Sequence, residues 1–287
     1  MNHQYMMKHR YMIFHYSKQG LLLLLGVLAV TAALVLADTT TTPEGPTLIT
    51  NESSTRRVAN GNMTQSASAG NISKISITGT AVTQSWAGFY GNVTGTVTLD
   101  DSDGSTLYDW ALVDPEGEVY ATTATSVDWS SGNVLCWNFT NSGVAYSNYT
   151  TLDNYQKLLG QNLLDPDAVN NTFSIATSHT QLYVGSYYIA GVTGGDMIQD
   201  SACPNVKLLN SSSENSSLVW EEIILWQDSL EDSTATEAQL IFASIIMSGN
   251  ENLGFDGEIY DFQMIVGEDG HNGNTSDTTY YFYVELQ

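Results

Sequence analysis

The residues that could do chemistry are few and scattered. His179, in Ser178-His179-Thr180, and His271, in Gly270-His271-Asn272-Gly273, are the only histidines beyond residue 37. Any general base serving a serine or cysteine nucleophile would come from this pair or from a carboxylate. The sequence places His179 in a turn between strands and His271 in a loop. Neither adjoins a nucleophile motif: Gly-x-Ser-x-Gly, a Walker loop and His-Glu-x-x-His are all absent. With Cys136 and Cys203 expected to bond to each other, too few soft ligands remain for zinc. Paired carboxylates can hydrolyse glycosides, but Glu221 and Glu222 are adjacent, so a strand turns them to opposite faces. One reading has one of them facing the core beside Trp220; an edge position or a partner-facing charge is the preferred role. The chain reads as a non-enzyme with no catalytic residue to name.

Calcium is the better metal candidate. Asp100-Asp101-Ser102-Asp103-Gly104 gathers hard oxygen donors on one turn, with Asp101 and Asp103 the candidate ligands. The same residues suit a hairpin turn, and no Glu follows at EF-hand spacing. Glu268-Asp269-Gly270 and Asp277 make a second acidic loop, read the same way. No other cofactor is expected. The aromatics offer another chemistry: Trp86 with Phe89 and Tyr90, then Trp110, Trp129 and Trp137, are core residues or platforms for sugar rings. Tyr281 and Tyr283, on the second face of the last strand, are expected to be exposed or packed on a partner.

The surroundings of these residues are acidic by subtraction. The 287 residues hold 8 Lys+Arg against 31 Asp+Glu, for a net charge of -23, yet only 14% of them are charged. Typical domains are about 25% charged, so bases are short while acids are ordinary in number. A chain so poor in Lys and Arg has no basic face for phosphates, which excludes direct nucleic-acid binding. The 42% apolar share, with six Trp and sixteen Tyr, is ample for a core.

Lys8, Arg10 and Lys18 precede an uncharged run from Leu21 to Leu36, and Val35-Leu36-Ala37 ends it before Asp38. Residues 1–37 are thus expected to be a secretory signal peptide cleaved after Ala37. Two other readings stay open. One is an uncleaved signal anchor holding the membrane through residues 21–37. The other is a pilin-like leader cut after Lys18-Gln19-Gly20, although the Glu usual just inside such an apolar run is missing. Cleavage after Ala37 removes three bases and no acid, leaving 5 − 31 = −26.

Asn51, Asn62, Asn71, Asn92, Asn138, Asn148, Asn170, Asn210, Asn215 and Asn274 all stand in Asn-x-Ser/Thr triplets. On a secreted chain, ten such triplets predict a glycosylated exterior, where neutral sugars supply the solubility that charge does not. Residues 38–72 are rich in Thr, Ser and Asn and nearly devoid of large apolar side chains, which predicts a disordered linker or stalk.

From residue 73 the apolar period becomes two, predicting an all-β fold. The alternations are Ile75 and Ile77; Val93, Gly95, Val97 and Leu99; Tyr260, Phe262, Met264 and Val266; and Tyr280, Phe282, Val284 and Leu286. Asp/Gly and Pro/Gly turns join Val93–Leu99, Thr106–Val113 and Glu118–Thr122 into an expected meander. Leu182–Ile189 and Leu218–Gln227 read as further strands. Thr151–Leu159 predicts a short helix, and Thr236–Met247 reads as a helix or, in preference, a fully buried strand. Residues 73–287 are therefore expected to form an antiparallel β-sandwich, one large or two fused. An even cysteine count outside the cell predicts a Cys136–Cys203 disulfide, worth roughly 4 kcal/mol on loop-closure grounds.

Three stretches, Trp86 to Gly95, Gly254-Phe255-Asp256-Gly257 leading into Tyr260–Met264, and Tyr280–Leu286, resemble an uncharacterised family of secreted archaeal cell-surface proteins. The resemblance spans most of residues 73–287. It implies an extracellular location and an all-β fold, and brings no activity. Function is accordingly expected to be structural or adhesive, in the cell envelope or an extracellular filament, with self-assembly or other envelope proteins as partners. The alternatives are a carbohydrate-binding module using exposed Trp/Tyr, and a type IV pilin-like subunit.

Overall fold

A computed structural model describes residues 42–58, 61–130, 133–137, 156, 161, 164–174, 177–191, 202–210, 218–227, 240–247, 252–268 and 277–287. In chain order the elements are β1 (Trp86–Gly91), β2 (Thr96–Asp100), β3 (Thr106–Ala111), β4 (Gly117–Thr122), β5 (Val134–Cys136), one helical turn α1 (Val169–Thr172), β6 (Leu182–Val184) and β7 (Tyr187–Ile189). They continue with β8 (Asn205–Leu209), β9 (Leu218–Gln227), β10 (Leu240–Ile245), β11 (Phe262–Gly267) and β12 (Tyr281–Leu286). The fold is all-β and every paired strand is antiparallel.

A six-stranded sheet is the centre. It runs β12-β4-β10-β9, and the far side of β9 is shared end to end by β5 and β8. β5 pairs with residues 225–227 of β9 and β8 with residues 218–223. Both faces of this sheet are covered. On one, the β1–β11 ribbon brings Met264 and Val266 against Val119, Ala121, Ile224 and Phe242. On the other, the β6–β7 hairpin brings Leu182, Val184 and Ile189 against Tyr120, Ile223, Leu225, Ile241 and Ala243. Burial on both sides explains why Ile223-Ile224-Leu225 and Leu240–Phe242 lack alternation, a pattern more usual in parallel sheets. The buried-strand reading of 236–247 thus holds for β10.

Three expectations need correction. Residues 73–78 form no strand: Ile75 is 57% and Ile77 82% exposed, because their alternation finds no neighbouring strand among the described residues. The meander is also absent. Among the described residues β2 and β3 pair only with each other, whereas β4 leaves them to lie between β12 and β10. Local turns dictated the first hairpin, but burial of Val119 to Ala121 on both faces drew β4 into the main sheet. Leu182–Ile189 is two strands, since Gly185 turns the chain at φ 58°, a conformation that glycine enters without steric cost. The helix expected at Thr151–Leu159 lies outside the described residues apart from Gln156, and residues 1–37 lie wholly outside them.

Within the stretch read as a stalk, Glu44 forms an antiparallel bridge to Val284, with reciprocal N–H···O bonds of 3.0 and 2.8 Å on the outer edge of β12. Cys136 and Cys203 form the disulfide, at the junction where β5 and β8 meet along β9.

Candidate functional site

The most unusual chemistry in the fold is a set of buried carboxyls. Glu118 on β4 and Glu285 on β12 are register partners, directly opposite one another, and both are buried. Two positions along β4, Tyr120 is buried on the same face, and its hydroxyl donates to Glu285 Oε2 at 3.0 Å. That hydroxyl also lies 3.3 Å from the Tyr183 carbonyl oxygen and interacts with the Glu118 carboxyl. The Gly185 N–H reaches both oxygens of Glu285, at 3.1 and 3.3 Å. The β6–β7 turn therefore serves to aim one amide at this acid.

Burial pushes the Glu118 carboxyl well above the usual range, the neighbouring Glu285 raises it further, and the Tyr120 hydroxyl offsets part of this. Burial likewise pushes Glu285 up to about 7, against the hydrogen bonds from Gly185 and Tyr120. Glu118 Oε2 has no hydrogen-bond partner. A buried carboxylate oxygen without a partner is costly, whereas a neutral acid is much less so.

Glu221 and Glu222 are both in the interior of β9, which corrects the edge or partner-facing role expected for them. They do face opposite sides. Glu222 is fully buried between Val206 of β8 and Ser244 of β10, accepts the Ile265 N–H at 2.8 Å, and has Oε1 unpartnered. Burial raises its carboxyl well above the ordinary value, and the Ile265 N–H opposes this. Glu221 is the reverse case. Burial pushes it up, but the Lys207 ammonium 2.7 Å from Oε1 and the Thr180 N–H 2.6 Å from Oε2 outweigh that, so it is lowered overall.

His179 is a buried residue rather than an open turn. Its Nδ1 lies 2.7 Å from the Thr180 carbonyl oxygen, and its Nε2 accepts the Cys203 N–H at 2.9 Å. These partners fix the proton on Nδ1. Burial lowers its pKa, keeping the ring neutral, and with both nitrogens occupied it props the disulfide strand. His271 lies outside the described residues.

Asp101 and Asp103 occupy the β2–β3 turn, where Asp101 Oδ1 accepts the N–H groups of Asp103 at 2.9 Å and Ser105 at 2.8 Å. Among the described residues no three His, Cys, Asp or Glu side chains converge as a metal site would require. Asn51, Asn62, Asn71 and Asn92 are exposed, and Asn170 and Asn210 are half-buried. Asn138, Asn148, Asn215 and Asn274 lie outside the described residues.

The aromatics divide cleanly. Trp129, Trp137 and Trp220 are buried, with Trp129 ringed by Tyr120 and by Tyr283, so Tyr283 is spent on the core. Tyr281 is exposed, as are Tyr108 and Trp110, whose rings meet edge to face at 4.8 Å on β3. Among the described residues, no helix is long and apolar enough to cross a membrane.

Sequence reasoning missed the Glu118–Glu285 pair. The available signal was a lone acid at an interior position of each of two apolar strands, in a chain with few bases to partner either. Comparison of the chain with protein-family models, curated proteins and solved structures finds no match.

Proposed function

We propose that this chain is a secreted or surface-anchored glycoprotein with a structural or adhesive role in the cell envelope or an extracellular filament, without catalysis. The β2–β3 hairpin carries this reading. Among the described residues its two strands pair only with each other, and a two-stranded hairpin alone is marginal in water. Yet it exposes Leu99, Tyr108 and Trp110 on one face, with Trp110 at 51%, and Leu107 on the other at 82%. Contiguous exposed apolar side chains mark surfaces that meet another molecule. A disulfide in a chain with a leader-like N-terminus agrees with an oxidising, extracellular setting.

The charge of the chain is also segregated. Ser53 to Leu99 contains Arg56, Arg57 and Lys74 and no acid, whereas Asp100 to Glu116 contains six acids and no base. Opposite charge on two exposed segments favours contact between copies of the chain, with other envelope proteins as the alternative partner. Light scattering and negative-stain microscopy of the purified full chain test this. Concentration-dependent assemblies that Tyr108→Ser with Trp110→Ser disperses are the expected result, and a chain that stays monomeric at every concentration overturns self-association.

The exposed Tyr108–Trp110 pair favours one second reading, a carbohydrate-binding surface. Selective glycan-array hits lost in Trp110→Ala would establish it over the structural role.

A further inference from the structure

The hydroxyl hydrogen of Tyr120 can serve one acceptor at a time, and it is directed at Glu285. The Tyr120 oxygen is then left as an acceptor. Glu118, which interacts with this hydroxyl, can complete that bond only by donating a proton of its own. Were both acids ionised, four carboxylate oxygens would have the Gly185 N–H and the Tyr120 O–H as donors, and Glu118 Oε2 has no partner at all.

Among the described residues no cation relieves the pair. From β10, Ile245 faces Glu118 and Ala243 faces Tyr120, and from β12, Tyr283 faces Tyr120. The β6–β7 hairpin contributes the Tyr183 carbonyl, the Gly185 N–H and the Tyr187 side chain within the same cluster. The titratable neighbours are thus tyrosines, neutral below about pH 10. Of the described bases, Lys207 pairs with Glu221 and Arg57 with Thr80, and neither they nor Arg56 or Lys74 are among the groups acting on the two acids. β12 is the edge strand: among the described residues its backbone pairs with β4 and, through the Glu44 bridge, with one residue on its outer side, while Phe282 and Tyr283 pack on the core.

We propose that Glu118, Tyr120 and Glu285 form a proton-binding site that latches β12 to β4. A proton on Glu118, donated to the Tyr120 oxygen while the Tyr120 hydroxyl donates to Glu285, prevents the opposed acids from carrying two charges. Its loss places like charges face to face across one strand pair and frees the edge. This stands independently of the structural role proposed above.

Hydrogen exchange of the full chain between about pH 6 and pH 9, corrected for the intrinsic pH dependence of exchange, reads the latch. In the wild type, protection of residues 281–286 should fall at least about tenfold relative to residues 219–227, a factor equivalent to one pKa unit. In Glu118→Gln the ratio should stay level. Equal responses in wild type and variant, or joint loss of protection in both strands, overturn the proposal. If Glu118→Gln does not fold, Glu285→Gln gives the same readout. Infrared spectra of the Glu222→Gln chain then decide separately: a protonated-carboxyl band surviving at pH 8 supports the site and its absence refutes it. Stabilisation of the wild type by calcium or sodium at pH 8, abolished in Glu118→Gln, would make this a cation site and also refute it.

Discussion

Glu118 and Glu285 lie opposite one another across the β4–β12 pair, buried, with the Tyr120 hydroxyl bridging them and the Gly185 N–H on the Glu285 side. Like charges opposed on adjacent strands are destabilising, so the sheet edge is strongest when this pair is not fully ionised.

Stability should therefore fall as pH rises. Glu118, Glu222 and Glu285 all have carboxyls raised above the ordinary value, Glu285 to about 7. Between the unfolded pKa and the folded one, the native state binds more protons than the unfolded chain, so stability drops across that window. His179 and Glu221 are lowered and act oppositely, losing stability as pH falls through their own folded values. Urea midpoints should be higher at about pH 5 than at about pH 8. A higher midpoint at pH 8 would contradict the burial of these acids.

Glu222→Gln should stabilise the protein at pH 8. The amide keeps an acceptor for the Ile265 N–H while removing an ionisable group from a fully buried position. The expected gain is about 1–3 kcal/mol, vanishing at about pH 3, where the acid is neutral in both states. Paired denaturation curves at the two pH values check it.

Lys207→Met should cost more than the removal of an exposed ion pair, because Glu221 is left inside β9 with no cation beside it and Thr180, through its N–H and side chain, as the remaining donor among the described residues. About 1–3 kcal/mol is expected. Combining it with Glu221→Gln should recover part of that loss in a double-mutant cycle.

Cys136→Ser with Cys203→Ser should lower stability by about 2–5 kcal/mol. The register of β9 against β5 and β8 rests on its own backbone bonds, so near-native circular dichroism should persist in the surviving folded population.

Glycopeptide mass spectrometry of native material should find sugar at the exposed Asn51, Asn62, Asn71 and Asn92. Asn170 should be bare, because it is half-buried and its amide donates to Asn171 Oδ1 at 3.3 Å.

How much of this was legible in the chain depended on how local its cause was. β9 spans Leu218–Gln227, the stretch that its apolar run outlined, and the disulfide followed from cysteine count and setting. Side-chain alternation also placed Tyr283 and Glu285 together on one face of the last strand. What alternation does not carry is the identity of the neighbour. Thr106–Ala111 and Gly117–Thr122 are separated by a short turn yet belong to different sheets. Ile75 and Ile77 have the period of a half-buried strand and no strand beside them among the described residues. The acids were misplaced for a related reason. Charge ordinarily reports solvent, which is why Glu222 reads as an edge or partner-facing residue and why nothing in the pattern singles out Glu118 and Glu285, all three of which the pairing order buries.

The Cys136–Cys203 bond has a topological result. The chain leaves β9 at the end of β5 and returns at the start of β8, and the two sulfurs tie exit to entrance. The residues between are closed into one lariat whose neck is covalent, and its described parts pack on both faces of the sheet. That lariat includes Gly185, the donor to Glu285. A cut anywhere inside it would leave one covalent molecule, with the sheet's seam intact and the amide that steadies its opposite edge still delivered by a tethered loop.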